Sequence, residues 1–297
     1  MKTKKMVKIV SALLLATSTG LNMQSIMAKT ISFDQKKMIE HLTILEKITT
    51  HTGGNRAMGT EGAITTAGYI DDVIEGQNTT LVGLPFETKA GSEGQNVLVT
   101  VPGKRYKDII MLGAHYDSAK DSAGMNDNAS GIAVLLSLIQ YYSKPANTPK
   151  NTLFFVFWDG NKSGLAGSKA LAKEFPSPEL GTMHAYINLD EVGVKNPSVV
   201  IASPSAKSQH KNDIKLEKTL TDFFKSKNKA VKNDATTISQ TDAFPFVGKM
   251  PVISYSFKND AAQSCQSKSC DTVRQIDPQS LQLAAEAAHY IIDALSR

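Results

Sequence analysis

The feature that most constrains the fold is an uninterrupted apolar run, Leu153-Phe154-Phe155-Val156-Phe157-Trp158. Six bulky apolar residues in a row, bounded by polar residues, are typical of a strand that is buried on both faces. Strands of this kind lie in parallel sheets that are covered by helices. Strand and helix patterns also alternate along the rest of the chain. The sequence therefore predicts a single α/β domain whose central, mostly parallel mixed sheet is flanked by helices.

The individual elements follow from hydrophobic periodicity and from turn residues. Helices are predicted over Phe33–Thr49, Ile64–Ile74, Gly131–Tyr142, Leu165–Phe175, Asp213–Lys225 and Pro278–Leu295. Strands are predicted over Asn96–Val101, Ile109–Leu112, Leu153–Trp158, Ala185–Leu189, Val199–Ala202 and Val252–Phe257. The polar, lysine-rich segment Ser226–Thr237 is predicted to be a solvated loop.

The first 28 residues have the layout of a secretory signal peptide. Four lysines and no acidic residue are followed by the apolar run Ile9–Ala16 and by small residues around Ser25 and Ala28. Cleavage after Ala28 would leave residues 29–297 as the mature domain. The apolar run is far shorter than the roughly 20 residues that span a bilayer, so no membrane span is expected. The sequence thus predicts a secreted or periplasmic protein.

The net charge of +5 comes mostly from this leader. Without its four lysines, 29 basic residues face 28 acidic ones, which leaves a net charge of +1. No arginine-rich or aromatic-plus-basic face stands out, so nucleic-acid binding is not expected.

The two cysteines, Cys265 and Cys270, have no other thiol to compete with them. In an oxidising compartment they are expected to form a disulfide. A metal site is the weaker alternative, because the chain has no second cysteine pair and no histidine between His210 and His289.

Polar clusters follow three of the predicted strands. One contains His115 and Asp117, the next begins at Asp159, and the third begins at Asp190. Carboxyl ends of parallel strands share one edge of a sheet, so these groups should meet there. Asp127 lies in a turn of small residues before a predicted helix and would project into the same edge. A single histidine or aspartate at the end of a strand is more often a turn or cap residue than a metal ligand. Together, however, His115, Asp127 and Asp190 could bind zinc and leave its fourth position for water.

Four segments together resemble the co-catalytic zinc aminopeptidases, the bacterial leucyl aminopeptidase family related to glutamate carboxypeptidase II and glutaminyl cyclase. These segments are His115-Tyr116-Asp117-Ser118, Asn126–Gly131, Gly164–Ser168 and Asn188-Leu189-Asp190. The resemblance implies the zinc exopeptidase (phosphorylase/hydrolase-like) fold and the hydrolysis of N-terminal peptide bonds. It also implies that His115 and Asp190 bind one zinc, that Asp127 bridges to a second, and that Asp117 orients His115. The Asp127–Asn128 peptide bond is expected to be cis.

The chain departs from the family pattern at four positions. The family has a Glu-Glu pair, in which the first glutamate is the general base and the second binds the second zinc. In this chain Asn161 replaces the first and Lys162 replaces the second. The family's last histidine ligand falls at Ser267, and the histidine of its Ser-Asp-His motif falls at Ala243. At most one zinc is therefore expected, with Lys162 pairing with Asp127 in place of the second ion.

These departures favour a catalytically deficient homologue that binds a peptide, an amino acid or a protein partner in the inherited cleft. The alternative is a one-zinc metallo-aminopeptidase of reduced or altered activity, in which Asp159 or Glu191 would have to replace the base. The cluster could equally be a vestigial hydrogen-bonded group. A glutaminyl cyclase is disfavoured, because the ligands with which cyclases hold their single zinc are replaced here.

Overall fold

A mixed sheet of eight strands forms the centre of the part of the chain that the structure describes. The structure is a computed structural model that describes residues 31–175, 182–204 and 211–297, and Ser32–Arg297 form one compact unit. The predicted signal peptide, residues 1–28, lies outside the described residues. The strands are β1 (Thr80–Glu87), β2 (Glu93–Val101), β3 (Arg105–His115), β4 (Asn151–Trp158), β5 (Thr182–Asp190), β6 (Ser198–Ala202), β7 (Val231–Asn233) and β8 (Val252–Lys258).

The strand order is β1-β2-β4-β3-β5-β8-β6-β7, with four parallel strands at the centre. Strands β4, β3, β5 and β8 pair in parallel. Antiparallel pairs join β1 to β2, β2 to β4 and β6 to β8, while β7 runs parallel to β6. The predicted α/β architecture with a mostly parallel mixed sheet is confirmed.

Helices cover both faces of this sheet, as its apolar central strands require. They are α1 (Gln35–His51), α2 (Glu61–Ile74), α3 (Ser130–Tyr142), α4 (Ala166–Ala172), α5 (Lys211–Ser226), α6 (Asp260–Cys265) and α7 (Pro278–Leu295). Helix α1 begins at the cap Asp34, whose carboxylate accepts a hydrogen bond from the Lys37 amide. Helix α3 packs against α1 and α7.

Every residue of β4 is buried, as the apolar run predicts. The indole nitrogen of Trp158 donates to the Tyr186 hydroxyl at 2.6 Å, and both rings lie against Phe246. In the parallel register His115 lies opposite Trp158. This register brings the carboxyl ends of β3 and β4 to the same edge of the sheet.

The elements differ from the sequence predictions in four places, and three of these differences have a physical reason. Strand β1 was missed because Gly83 and Pro85 interrupt its pattern, and an edge strand tolerates proline. The segment Ser226–Thr237 is not only a loop, because Val231–Asn233 within it pairs with β6. Helix α4 is shorter than the predicted Leu165–Phe175, since Leu165 itself is in the left-handed conformation with φ of 62°. Helix α6 was not predicted at all.

No helix among the described residues is long and apolar enough to span a membrane.

Candidate metal site

The ends of two central strands and one turn bring three possible metal ligands together. His115 ends β3, Asp190 ends β5, and Asp127 lies in the turn before α3. The Nε2 atom of His115 is 3.2 Å from Asp127 Oδ1 and 3.5 Å from Asp190 Oδ1. One ligand atom from each residue lies within 4.8 Å of the others. The strand-end prediction placed these three residues together, and the structure does so.

The geometry of this trio suits one tetrahedral zinc. Two ligands on zinc–ligand bonds of about 2.1 Å lie about 3.4 Å apart in a tetrahedral site. The distances from His115 to the two carboxylates, 3.2 and 3.5 Å, match that spacing. Both His115 Nε2 and Asp190 Oδ1 are buried and have no hydrogen-bond partner among the described residues. Buried polar atoms without a partner are costly, and a shared cation would satisfy both.

A carboxylate behind His115 fixes the ring. His115 Nδ1 forms a hydrogen bond with the Asp117 backbone carbonyl at 2.9 Å and lies 3.2 Å from Asp117 Oδ1, so Asp117 orients the ring as the family resemblance implies. Asp117 is fully buried and also accepts hydrogen bonds from the amides of Asn161 and Lys162, at 3.1 and 2.9 Å. Burial and the charge of Lys162 lower the pKa of His115, but the nearby carboxylates of Asp117, Asp127 and Asp190 raise it well above its ordinary value.

The turn that carries Asp127 is held from a distant part of the chain. The carboxylate of Asp271 accepts the Asn126 amide at 2.6 Å and the Asp127 amide at 3.1 Å. Asn128 donates to the Leu189 carbonyl at 2.8 Å, which ties the turn to β5. The Asp127–Asn128 peptide bond is cis, as the resemblance implies.

A fully buried arginine supports the same region. Arg56 donates to the carbonyls of Tyr116, Ala123 and Gly124. Burial lowers the pKa of Arg56 to about 10, although the charges of Asp271, Asp117 and Asp127 oppose this. Sequence reasoning gave Arg56 and Asp271 no role at the site, because the groups that they contact lie far away along the chain.

Lys162 lies in an exposed turn, yet its side chain turns inward and is 26% exposed. Its Nζ is 2.7 Å from Asp127 Oδ1 and 2.8 Å from Asp127 Oδ2. Burial lowers the pKa of Lys162, but the charges of Asp127, Asp190 and Asp117 together outweigh this effect, and the pKa is raised. Burial raises the pKa of Asp127, but bonds to His115 and the charge of Lys162 bring it well below its usual range. The predicted pairing of Lys162 with Asp127 is confirmed.

Asn161 stands at the position of the family's general base and is tied to another carboxylate. Its side-chain amide donates to Asp242 Oδ2 at 2.9 Å, while the Ser168 hydroxyl donates to Asp242 Oδ1 at 2.6 Å. Burial raises the pKa of Asp242 to about 6, and the charge of His115 opposes that rise. The amide nitrogen of Asn161 is thus engaged away from the trio, and sequence reasoning did not foresee this role for Asp242.

The other residues considered as bases lie in separate hydrogen-bond networks. Asp159 accepts the amides of Gln95 and Gly160, at 3.2 and 2.8 Å. Glu191 pairs with Lys258 at 2.8 Å and accepts the Gln266 side chain at 2.6 Å. Neither carboxylate belongs to the described metal-ligating group.

Cys265 and Cys270 form the predicted disulfide. Ser267, at the position of the family's last histidine ligand, lies exposed in the loop that this bond closes, with φ of 56°. Asp271, which holds the Asp127 turn, follows the second cysteine directly. The disulfide therefore anchors the segment that positions Asp127.

Replacing both cysteines by serine is expected to lower the free energy of unfolding by about 2 kcal/mol, because closing a short loop removes disorder from the unfolded chain. The loosened Asp271 should also weaken zinc binding. Urea unfolding and zinc titration of the variant check both effects. Replacing the exposed Ser264, which lies outside the loop, by alanine is the control. Unchanged stability and zinc affinity in the cysteine variant would contradict this role.

The family model "Peptidase family M28" matches residues 96–292. Leupeptin-inactivating enzyme 1 of Streptomyces exfoliatus is 27% identical over 270 residues, covering 85% of this chain and 60% of that protein. An aminopeptidase of Pseudomonas aeruginosa is 31% identical over 105 residues, which are 35% of this chain and 19% of that protein. The chain thus spans less than two thirds of the length of either relative.

Solved structures of low sequence identity share the fold. BSAP, a zinc aminopeptidase from Bacillus subtilis, aligns with a TM-score of 0.70 and 14% identity over 88% of this chain and 95% of its own. A glutaminyl cyclase from Bacteroides thetaiotaomicron aligns with a TM-score of 0.72 and 16% identity over 89% of this chain and 98% of its own. The fold that these structures share agrees with the family match, and this chain belongs to peptidase family M28.

Proposed function

We propose that this protein is a catalytically deficient member of the family that binds a peptide or a protein partner and holds at most one zinc. The observation that carries the proposal is the ammonium of Lys162 on both carboxylate oxygens of Asp127. An ammonium at that point repels a second cation and supplies the positive charge that Asp127 needs. The second metal position is therefore closed by a side chain of the protein itself.

One zinc fits the remaining ligands, His115, Asp127 and Asp190. A zinc in such a site polarises a carbonyl or lowers the pKa of a bound water. Asp117 keeps the imidazole oriented, and Asp271 keeps the Asp127 turn in place. These contacts support zinc binding, but neither Asp117 nor Asp271 is placed to act as a general base.

A proton acceptor is the missing part. Asn161 cannot take a proton at neutral pH, and its amide nitrogen already donates to Asp242. A positioned general base contributes roughly 10²–10⁴-fold to a rate. The alternative, a one-zinc aminopeptidase of altered activity, needs Asp159 or Glu191 as the base. Neither carboxylate belongs to the ligand trio, and Glu191 is paired with Lys258, which favours the deficient protein.

We also propose that the protein is exported. The support is the layout of the first 28 residues, with four lysines followed by an apolar run, together with a disulfide in the described domain. Disulfides persist in oxidising compartments and are rare in reducing ones. The name of one relative, a probable lipoprotein aminopeptidase of Mycobacterium tuberculosis, is in keeping with this location.

The wild-type protein, supplied with zinc, is expected to hydrolyse chromogenic aminoacyl substrates no faster than the zinc-containing buffer. Its zinc content, measured by atomic emission after dialysis, should not exceed one ion per chain. A family aminopeptidase with an intact Glu-Glu pair serves as the positive control. Substantial turnover that a chelator abolishes, or two zinc ions per chain, would refute the proposal.

A further inference from the structure

A large groove lies between helix α2 and the β1–β2 hairpin. We call it the α2 groove; its volume is about 1110 Å³, and its walls include Ile64 and Ala67 on α2 and Leu81 and Phe86 on β1. Pockets for small ligands have volumes of about 300–1,000 Å³. The α2 groove therefore has room for a peptide segment of several residues.

The floor of the α2 groove is rigid because its polar groups are paired. The hydroxyl of Tyr116 donates to the Gln95 carbonyl at 2.7 Å, and Asp159 accepts the Gln95 amide at 3.2 Å. Phe86 packs so closely over Gly94 that a Cβ at that glycine would lie 2.5 Å from the ring. A groove with a satisfied and closely packed floor does not have to reorganise in order to bind.

The charges of the α2 groove all have one sign. Its lining carries the carboxylates of Asp71, Glu87, Glu93 and Asp159, and its described lining includes no lysine, arginine or histidine. The first three are exposed at the rim, and none of them forms an ion pair among the described residues. Unpaired rim carboxylates around an apolar wall attract a partner that carries positive charge.

We propose that the α2 groove binds an extended peptide segment in which basic residues alternate with apolar ones. Apolar side chains would pack against Ile64 and Phe86, while lysine or arginine side chains would reach the rim carboxylates Asp71, Glu87 and Glu93. The groove has no residue in common with the trio His115, Asp127 and Asp190, so this binding goes beyond the cleft of the proposed function.

The chain offers a substitution that fills the groove without disturbing the fold. Gly68 lies on α2 and lines the groove, and a Cβ added there meets no atom within 4 Å. Gly68→Phe should therefore fill the open space, and Gly68→Ala should leave it open. Both replacements favour the helix, because glycine is a poor helix former.

The probe is a short, fluorescently labelled peptide of alternating lysine and leucine, and its binding is followed by anisotropy. Gly68→Phe and the double change Asp71→Lys/Glu87→Lys are each expected to weaken binding about tenfold or more. Gly68→Ala and Asp72→Lys should change it less than about twofold, since Asp72 is exposed on α2 outside the groove. Added salt should weaken binding.

Two results would overturn the proposal. One is that the lysine–leucine peptide does not bind, or that a matching glutamate–leucine peptide binds equally well. The other is wild-type affinity in the Gly68→Phe variant. Asp190→Asn, which alters the trio, should leave peptide affinity unchanged; a loss there would place the peptide in the metal cleft and contradict the groove. Because the readout is peptide affinity, failure here is distinguishable from the appearance of turnover, which refutes the proposed function.

Discussion

Restoring the acidic pair, Asn161→Glu with Lys162→Glu, is expected to create aminopeptidase activity about 10²–10⁴-fold above that of the wild-type protein. Glutamate at position 161 would supply the proton acceptor that asparagine lacks. Glutamate at position 162 would remove the ammonium from Asp127 and offer a carboxylate in its place. The measurement is the rate of hydrolysis of chromogenic aminoacyl substrates in the presence of zinc.

The second metal position needs a further ligand, which the family takes from a histidine. Ser267→His restores it at the position that the family pattern indicates, but Ser267 is exposed in the disulfide loop. Its neighbour Gln266 already reaches Glu191, beside Asp190. Gln266→His is therefore made in parallel, and the variant that binds a second zinc identifies the residue facing the site. Zinc content of each variant is the readout.

A matched control separates chemistry from charge. Lys169→Glu changes the net charge exactly as Lys162→Glu does, but it lies on the exposed side of α4. It should neither bind additional zinc nor gain turnover. If the restored variants bind two zinc ions and still show no turnover, the loss of activity has a cause other than Asn161 and Lys162, and the proposed reason for deficiency is wrong.

The central strands and the ligand trio could be predicted because both follow from local sequence. A long apolar run marks β4, and shorter apolar segments mark β3, β5 and β8. Parallel strands bring their carboxyl ends to one edge of the sheet. Nothing local marked β1, since Pro85 breaks its pattern. The pairing of Lys162 with Asp127 was predicted from the family resemblance and not from hydrophobic periodicity.

The supports of the trio could not be predicted, because they depend on tertiary contacts. Asp271 holds the Asn126 amide from 145 residues away. Asn161 donates to Asp242, which lies 81 residues further along the chain, and Arg56 donates to Gly124, which lies 68 residues further along. A buried carboxylate or guanidinium has to be paired, but the sequence does not say with which partner. The direction of such side chains is decided when the strands and turns pack.

The second large effect concerns stability. Lys162→Met is expected to lower the free energy of unfolding of the metal-free protein by about 2–4 kcal/mol, because removing one partner leaves a buried charge uncompensated. Asp127 is 2% exposed, so water cannot replace the ammonium. Methionine keeps the length of the lysine stem, which limits the loss of packing. Urea unfolding in the presence of a chelator is the measurement.

The pH dependence of this loss has a defined sign. The pKa of Asp127 is lowered by folding, so its contribution to stability is present above the unfolded value of about 4 and is lost as pH falls. The pKa of Lys162 is raised, so its contribution is present below the unfolded value of about 10.4 and is lost only at higher pH. The stability difference between wild type and Lys162→Met should therefore be present at neutral pH and shrink as the pH falls into the acidic range, where Asp127 becomes protonated.

Zinc tests whether the ammonium stands in for a metal ion. Without Lys162, Asp127 is free to accept a cation, and a ligand that binds only the folded state stabilises it. Zinc should therefore raise the melting temperature of Lys162→Met more than that of the wild type. Lys169→Met is the surface control, and Lys162→Met with Asp127→Asn should recover part of the lost stability. A variant as stable as the wild type, with the same response to zinc, would show that Asp127 does not depend on Lys162 for its compensating charge.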